Sequence, residues 1–403
     1  MSDETPEPTT LEAPPRRNRL AALDTWRGMI MIFMALDHAA AFIGVKPDPE
    51  GLVVFGQAPM RPEFPGVVEW FTRFITHYCA PGFLFLAGTS VVLMADSRAA
   101  RGRSQLSITG HIALRGLLLI AFEYTIVFWG WGAAMQIPFF TVLAAIGACM
   151  FLGSMLRFAP ATVAWILGVS LLFGYPFLND AEVFPPIDSL SAPARALLLS
   201  TEVINDFKVI YPILPWFAVF LMGMAWGKHV RANAERTMRW SIALGIAMLA
   251  MWAALRLTDG FSFLDEATEG WVPAIGNFTP FIPERGWMDF FTMSKYPPAA
   301  DFVLWALGGS LVFCWAITRN GIAESRWLAP VRVLGRTALF FYLIHLYVYR
   351  FIANAMIDFQ PEFQQNIAAV WLCWPIGLVL LWPMCAVFAW LKRRFPGFPL
   401  DLI

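Results

Sequence analysis

The sequence predicts an all-α polytopic membrane protein of about ten transmembrane helices with both termini cytoplasmic. Three observations carry this reading. Of the 403 residues, 58% are hydrophobic and only 14% are charged, whereas a soluble domain carries roughly a quarter charged residues. The mean hydropathy is +0.59. Apolar runs long enough to cross about 30 Å of hydrocarbon recur along the chain, with basic loops gathered on one side. The formal net charge is zero. Membrane lipids are the expected surroundings, and no nucleic-acid partner is expected.

The chain starts with MSDETPEPTTLEAPPRRNR (1–19), which has no apolar core of a signal peptide. Its Pro, Thr and Glu content reads as a disordered cytoplasmic tail. A single transmembrane domain is expected over 20–396, with a short C-terminal tail at 397–403. Spans are expected near 26–45, 70–95, 111–130, 136–156, 160–178, 209–228, 238–257, 299–318, 334–355 and 367–391. With an inside N-terminus, one side receives RRNR, DSRAARGR, Arg157, KHVRANAERTMR, RNGIAESR and KRR. The other receives KPDPEG, NDAEVFPPID and the acidic loop at 258–296. A miscounted helix would scramble that pattern, so an even number of spans follows.

The connections at 179–208 and 258–298 are long for a compact bundle and rich in aromatics, Pro and acids. Loops of that length without obvious internal structure are either functional lids or an outer cap. APGFLFLAG (80–88) and LPWFAVFLMG (214–223) echo one another. The echo reads either as a parallel duplication, as in transporters, or as recurrence in Phe-rich sequence. The cysteines, Cys79, Cys149, Cys314, Cys373 and Cys385, all fall in apolar segments. They read as small buried hydrophobes.

The segment WRGMIMIFMALDH (26–38) is apolar except at its ends. Charged and ionisable groups inside a bilayer are costly, so they usually have a task. Arg27 and His38 are eleven residues apart, close to three helical turns, and share a face. Asp24 joins that face, and His38 lies about 16 Å deeper than Arg27. Asp37 points elsewhere and needs a partner on another helix. In the second span, Glu69, Arg73 and His77 repeat every four residues on one face. Pro81 removes the helical donor for the His77 carbonyl, so a kink and a polar cavity are expected there.

The ninth span places Tyr342, His345 and Tyr349 on one face. The third has Arg115 near its cytoplasmic end and Glu123 further in. Three histidines, His38, His77 and His345, thus fall at similar depth on different helices, while His111 and His229 sit near the cytoplasmic surface. Taken singly, each reads equally well as an interhelical hydrogen-bonder. Together with Asp37, Arg73 and Glu123 they point to a site. Asp24 and Arg27 alone also read as an interfacial pair at the helix start. No His-x-x-x-His or His-Glu-x-x-His spacing occurs, so no metal is expected.

RLAALDTWRGMIMIFMALDHAAAFIG, HYCAPGFLFLAGTSV, YPILPWFAVFLMGMAWGK, KYPPAADFVLWALG and LGRTALFFYLIHLY occur in that order. Together they resemble the bacterial membrane family related to heparan-alpha-glucosaminide N-acetyltransferase, over nearly all of residues 19–350. The spacing of Arg27 and His38 is also similar to that in the first helix of the broader integral-membrane acyltransferases, where that His is thought to serve acyl transfer. The resemblance implies that acetyl-CoA binds from the cytoplasm and that its acetyl group passes through the bundle to a sugar amine or hydroxyl outside. Arg27 and Arg115 would hold the CoA phosphates. His38 or His77 would be the base or the acyl carrier, supported by Asp24, Asp37, Arg73, Glu123 and His345. The animal heparan enzymes carry Asn where His38 stands, and their proposed catalytic His lies in the loop after the first helix. The corresponding loop here, 45–66, has no His. No counterpart of their large lumenal region precedes the first helix. The heparan substrate is therefore not carried over.

Two readings stand against the acyltransferase. One is a transporter or flippase of a sugar or lipid-linked substrate, which kinked helices and buried polar groups also suit. The other is a non-catalytic membrane partner. The expected location is the bacterial inner (plasma) membrane. Neither the acceptor nor the oligomeric state is written in the sequence.

Overall fold

A computed structural model of the chain describes residues 16–45, 63–132, 137–178, 186, 189–204, 206–265, 270–272, 277–395 and 397. The proposed tail over 1–15, KPDPEG, most of NDAEVFPPID and residues 398–403 lie outside the described residues. α1 spans Arg16–Ile43, so residues 16–19 belong to a helix rather than to the tail. α2 (Val67–Phe74) passes through a 3₁₀ turn at Ile75–Tyr78 into α3 (Cys79–Ala99). The irregularity expected from Pro81 takes the form of this tight turn. α4 (Gln105–Phe122) is capped by Ser104, whose hydroxyl accepts from the Ser107 N–H at 3.2 Å. It runs through a π-helical turn at Glu123–Val127 into α5 (Phe128–Trp131).

After β1 (Phe139–Phe140) come α6 (Val142–Leu156), α7 (Ala161–Leu178) and α8 (Ala192–Leu199). Then follow β2 (Glu202–Ile204), β3 (Phe207–Val209), α9 (Ile213–Ala232) and α10 (Ala234–Leu257). Asn233 caps α10 by accepting from the Arg236 N–H at 2.9 Å. β4 (Phe263–Asp265), β5 (Gly270–Val272), α11 (Trp287–Phe290), α12 (Ala300–Thr318), α13 (Ala329–Arg336), α14 (Ala338–Phe359) and α15 (Ile367–Arg394) complete the chain.

Among the described residues, nine helical stretches are long and apolar enough to cross a membrane. The chain is an all-α, multi-pass integral membrane protein. The remaining expected span, 136–156, differs: its start is β1, and α6 has only 15 residues, about 22 Å of helix. The expected ninth span is broken at Thr337, whose φ of −113° and ψ of 28° separate α13 from α14. The long connections carry structure of their own. β1 pairs in parallel with β3, and β2 pairs antiparallel with it, in the order β1–β3–β2. β4 and β5 form a hairpin in the 258–298 connection.

Helices in lipid associate through close packing rather than through a hydrophobic gain, so small residues mark the crossings. A Cβ on Gly88 of α3 would lie 2.1 Å from the Phe220 carbonyl oxygen, and one on Gly223 of α9 2.0 Å from that of Phe85. The two echoing segments therefore meet face to face, in reciprocal contact. The antiparallel pair α4 and α6 meets the same way at Gly116 and Gly147, and α10 and α12 at Gly245 and Gly308. Each half of the bundle thus holds an antiparallel glycine crossing beside the central parallel one.

Basic side chains tie the connections together at one end. Arg157 Nη2 donates to the Gln105 side-chain oxygen at 2.7 Å, and Lys228 Nζ donates to the Arg157 carbonyl at 2.6 Å. Arg336 Nε donates to Asp24 Oδ2 at 2.9 Å. The ends of α1, α9 and α13 that carry these groups all lie at this basic end.

Candidate functional site

Among the described residues, two of the cavities along α1 have charged side chains in their lining. The first opens at the basic end, has a volume of about 400 Å³, and is lined in part by Arg27, Ser90, Arg115, Arg336 and Lys392. Arg27 donates to Ser90 Oγ at 3.2 Å, to the Gly335 carbonyl at 3.4 Å and to Asp24 Oδ1 at 3.4 Å. The other Asp24 oxygen accepts from Arg336, so one carboxylate holds two cations at the cavity mouth. The α1–α13 crossing makes this possible. A Cβ on Gly335 would lie 1.8 Å from the Asp24 carbonyl oxygen, and one on Gly28 2.0 Å from that of Val331. Arg115 faces the same cavity with no hydrogen bond or ion pair to another described residue.

The second cavity, about 120 Å³, lies beyond it toward the other end of the bundle. Its lining includes Asp37, His38, Trp131, Tyr211, Lys295 and Tyr342. Asp37 has the partner on another helix that its position on α1 demands: Arg73 Nη1 donates to its Oδ1 at 2.8 Å. Arg73 is only 2% exposed. A buried pair of this kind is stable only with both members present.

His38 Nδ1 and His345 Nε2 are 2.6 Å apart. His345 Nδ1 lies 2.6 Å from the Tyr342 carbonyl oxygen and 3.1 Å from that of Phe341. A carbonyl only accepts, so in the neutral ring the His345 proton sits on Nδ1, and Nε2 carries a lone pair. His38 must then donate from Nδ1. The neutral tautomer this fixes leaves Nε2 of His38 as a basic nitrogen. The Trp131 ring stands edge-on to His38, with centroids 5.0 Å apart.

Glu123 reaches the site indirectly. Its Oε1 accepts from Thr141 Oγ1 at 2.7 Å, and its Oε2 accepts from the Ala144 N–H at 3.1 Å. It therefore binds the amino end of α6, where the helix dipole favours a carboxylate. Thr141 and Tyr342 both line the second cavity. The π turn at Glu123–Val127 begins at this carboxylate, and such turns recur at functional sites.

Lys295 belongs to the 258–298 connection and is 2% exposed. Its ammonium lies 5.2 Å from the Tyr296 ring centroid. The segment carrying it is strapped to α10 and α12 by Arg256. This guanidinium donates to the Phe290 carbonyl at 2.8 Å, to the Asp289 carbonyl at 2.7 Å and to the Thr279 carbonyl. It also pairs with Asp301 at 3.6 Å, both side chains being fully buried.

A family model described as heparan-alpha-glucosaminide N-acetyltransferase, catalytic, matches residues 19–256. That is more than half of the chain. The chain belongs to the heparan-alpha-glucosaminide N-acetyltransferase family. It carries the catalytic region of a transmembrane acetyltransferase family. No curated protein matches the chain.

The matched region supplies α1 to α10 of this acetyltransferase-family bundle, whereas His345, Lys295 and Arg336 come from beyond it. The structure brings Asp37, His38, Arg73 and His345 together, with Glu123 linked through Thr141. Asp24, Arg27 and Arg115 gather at the other cavity. His77 stands apart from both cavity linings, packed between the rings of Phe74 at 5.9 Å and Phe302 at 5.4 Å. Among the described residues, no group of three or more His, Cys, Asp or Glu is placed to hold a metal.

Sequence reasoning missed Lys295, Trp131, Thr141 and Arg336. For Lys295 a signal existed: it is a lone Lys in a long acidic connection, within KYPP. Arg336 follows the Gly335 that the helix crossing requires, but that crossing is not visible before folding.

Proposed function

We propose that this chain is an acetyl-CoA-dependent acetyltransferase that carries the acetyl group from the cytoplasmic face to a sugar hydroxyl or amine on the outer face of the plasma membrane. The orientation rests on the basic loops, which mark the cytoplasmic side. The carrying observation is the 2.6 Å contact between His38 Nδ1 and His345 Nε2.

The cavity with Arg27, Arg115, Arg336 and Lys392 suits the phosphates of the donor, since guanidinium groups bind phosphate through charge-assisted hydrogen bonds. The thioester then points along α1 toward His38. The pantetheine arm is long enough to bridge the roughly 16 Å of helix between Arg27 and His38. The acceptor occupies the outer cavity. His38 Nε2 takes the acceptor proton as the oxygen or nitrogen attacks the thioester carbon. The C–S bond breaks, the new C–O or C–N bond forms, and the proton passes to the departing thiolate. His345 holds the tautomer and stabilises the imidazolium, as an orienting partner does in a catalytic triad. Donor and acceptor meet directly in this scheme, without an acetyl-histidine.

The test is a transfer assay with purified protein, labelled acetyl-CoA and a panel of hexosamine- and hexose-terminated glycans. Label is expected in one class of acceptor with the wild type and not with His38→Ala, which should still bind acetyl-CoA. Sugar uptake into proteoliposomes, with no acetyl-CoA binding, would overturn the reading in favour of a transporter.

A further inference from the structure

The two cavities are stacked end to end, and their linings locate the boundary. On α1, Arg27 and Met31 line the basic-end cavity, while Met34, Asp37 and His38 line the outer one. On α6 the change falls between Leu143, in the first lining, and Val142, in the second. Phe83 and Tyr342 belong to both linings. Their rings meet edge to face, with centroids 6.5 Å apart and planes at 86°. Both are buried, at 8% and 7% exposure.

The two rings differ in polarity. The Tyr342 hydroxyl belongs to a ring whose cavity lining also holds Thr141, Lys295 and Tyr296. Phe83 has no polar group in its side chain and is held by packing alone. Phe83, shared by both linings, is therefore the ring whose removal tests the boundary.

We infer that Phe83 and Tyr342 form the partition between donor and acceptor, and that Phe83 sets the size of the acyl group that crosses it. The inference rests on the acyl-transfer reading above. A two-carbon acyl group reaches the outer cavity past the ring edge. Each further methylene has to displace the Phe83 ring, and pockets discriminate single methylenes by about 10- to 200-fold. The same ring keeps outer-cavity water from the thioester. Without it, water takes the acceptor's place: its oxygen bonds to the acyl carbon, the C–S bond breaks, and a carboxylic acid and the free thiol of CoA result.

The experiment uses the full chain in proteoliposomes with no sugar acceptor. Free thiol release is followed with acetyl-CoA and with butanoyl-CoA. Phe83→Ala is expected to release thiol faster than wild type with both donors, and the gain with butanoyl-CoA should exceed that with acetyl-CoA by about 10-fold. Phe83→Leu, which keeps most of the volume, should show the same order with smaller gains, and it decides the matter if Phe83→Ala does not fold. Equal gains for the two donors, or none, in a folded variant would overturn the proposal. A second readout is independent of acyl transfer. Cys79 lines the outer cavity. A charged thiosulfonate applied from the basic face should leave it unmodified in wild type and modify it in the Phe83 variants, as read by peptide mass. Modification in the wild type would remove the partition. A wild type that binds no acyl-CoA but passes the Cys79 test would instead remove the acyl-transfer reading and leave the partition standing.

Discussion

Nδ1 of His38 on α1 and Nε2 of His345 on α14 lie 2.6 Å apart, the shortest link between the two ends of the chain at the site. Removing His345 releases the His38 tautomer and removes the stabilisation of its imidazolium. His345→Ala is expected to lower the rate of acetyl transfer on the order of 10²-fold, the lower end of what a general base contributes. Acetyl-CoA binding should be unchanged. Single-turnover transfer and equilibrium binding check the two halves of this statement.

His77→Phe is the complementary test. The ring is buried between Phe74 and Phe302. The variant should fold and keep turnover near that of wild type. Loss of transfer with normal folding would move the base from α1 to the 3₁₀ turn before α3.

Arg115 makes no hydrogen bond or ion pair to another described residue, so its removal should not harm the fold. Hydrogen bonds to charged groups contribute about 1.5–3 kcal/mol. Arg115→Ala should therefore weaken coenzyme A binding by roughly 10- to 100-fold with an unchanged melting temperature. Calorimetric titration and a thermal melt together test it.

Arg256 and Asp301 behave in the opposite way. Both side chains are fully buried, and removal of one member of such a pair costs about 3–5 kcal/mol. Arg256→Met should destabilise the protein by that order and loosen the segment that carries Lys295. Adding Asp301→Asn should restore part of the loss, because the uncompensated charge goes with it. Thermal unfolding in detergent measures both.

Orientation is tested by labelling. Arg101→Cys lies at the basic end and Glu284→Cys in the 258–298 connection. An impermeant thiol reagent should reach them from opposite sides of the membrane, Arg101→Cys from the cytoplasm. Reaction from the same side would refute the arrangement.

The bundle was legible because span length and loop charge are properties of single segments. α10 and α12 begin and end within a few residues of where the apolar runs place them. The break at Thr337 was not legible, because LGRTALFF holds no Pro and its one charged residue, Arg336, is ordinary near a helix end. The shared face of Arg27 and His38 followed from helical period alone. The Arg73–Asp37 pair was legible only as a demand for some partner. Its identity, like that of His345 beside His38, depends on which helices pack together. The role of Glu123 was obscured for the same reason: its ligands, Thr141 and the Ala144 N–H, belong to the next helix. Lys295 and Arg256 were hidden by being assigned to an outer loop and a helix end, where charge is ordinary.

In the proposed scheme the stacked cavities also decide which charges cross the membrane. The acyl carbon leaves the sulfur without its bonding electrons, so it crosses the layer of Phe83 and Tyr342 outward as the equivalent of one positive charge. The proton that His38 removes from the acceptor starts on the outer side of the layer, and the thiolate that receives it lies on the other. Moving one charge through the full potential is worth about 2.3 kcal/mol per 100 mV. In that scheme the inward proton cancels the outward acyl charge, both sides start and end neutral, and the membrane voltage leaves the equilibrium of the transfer unmoved.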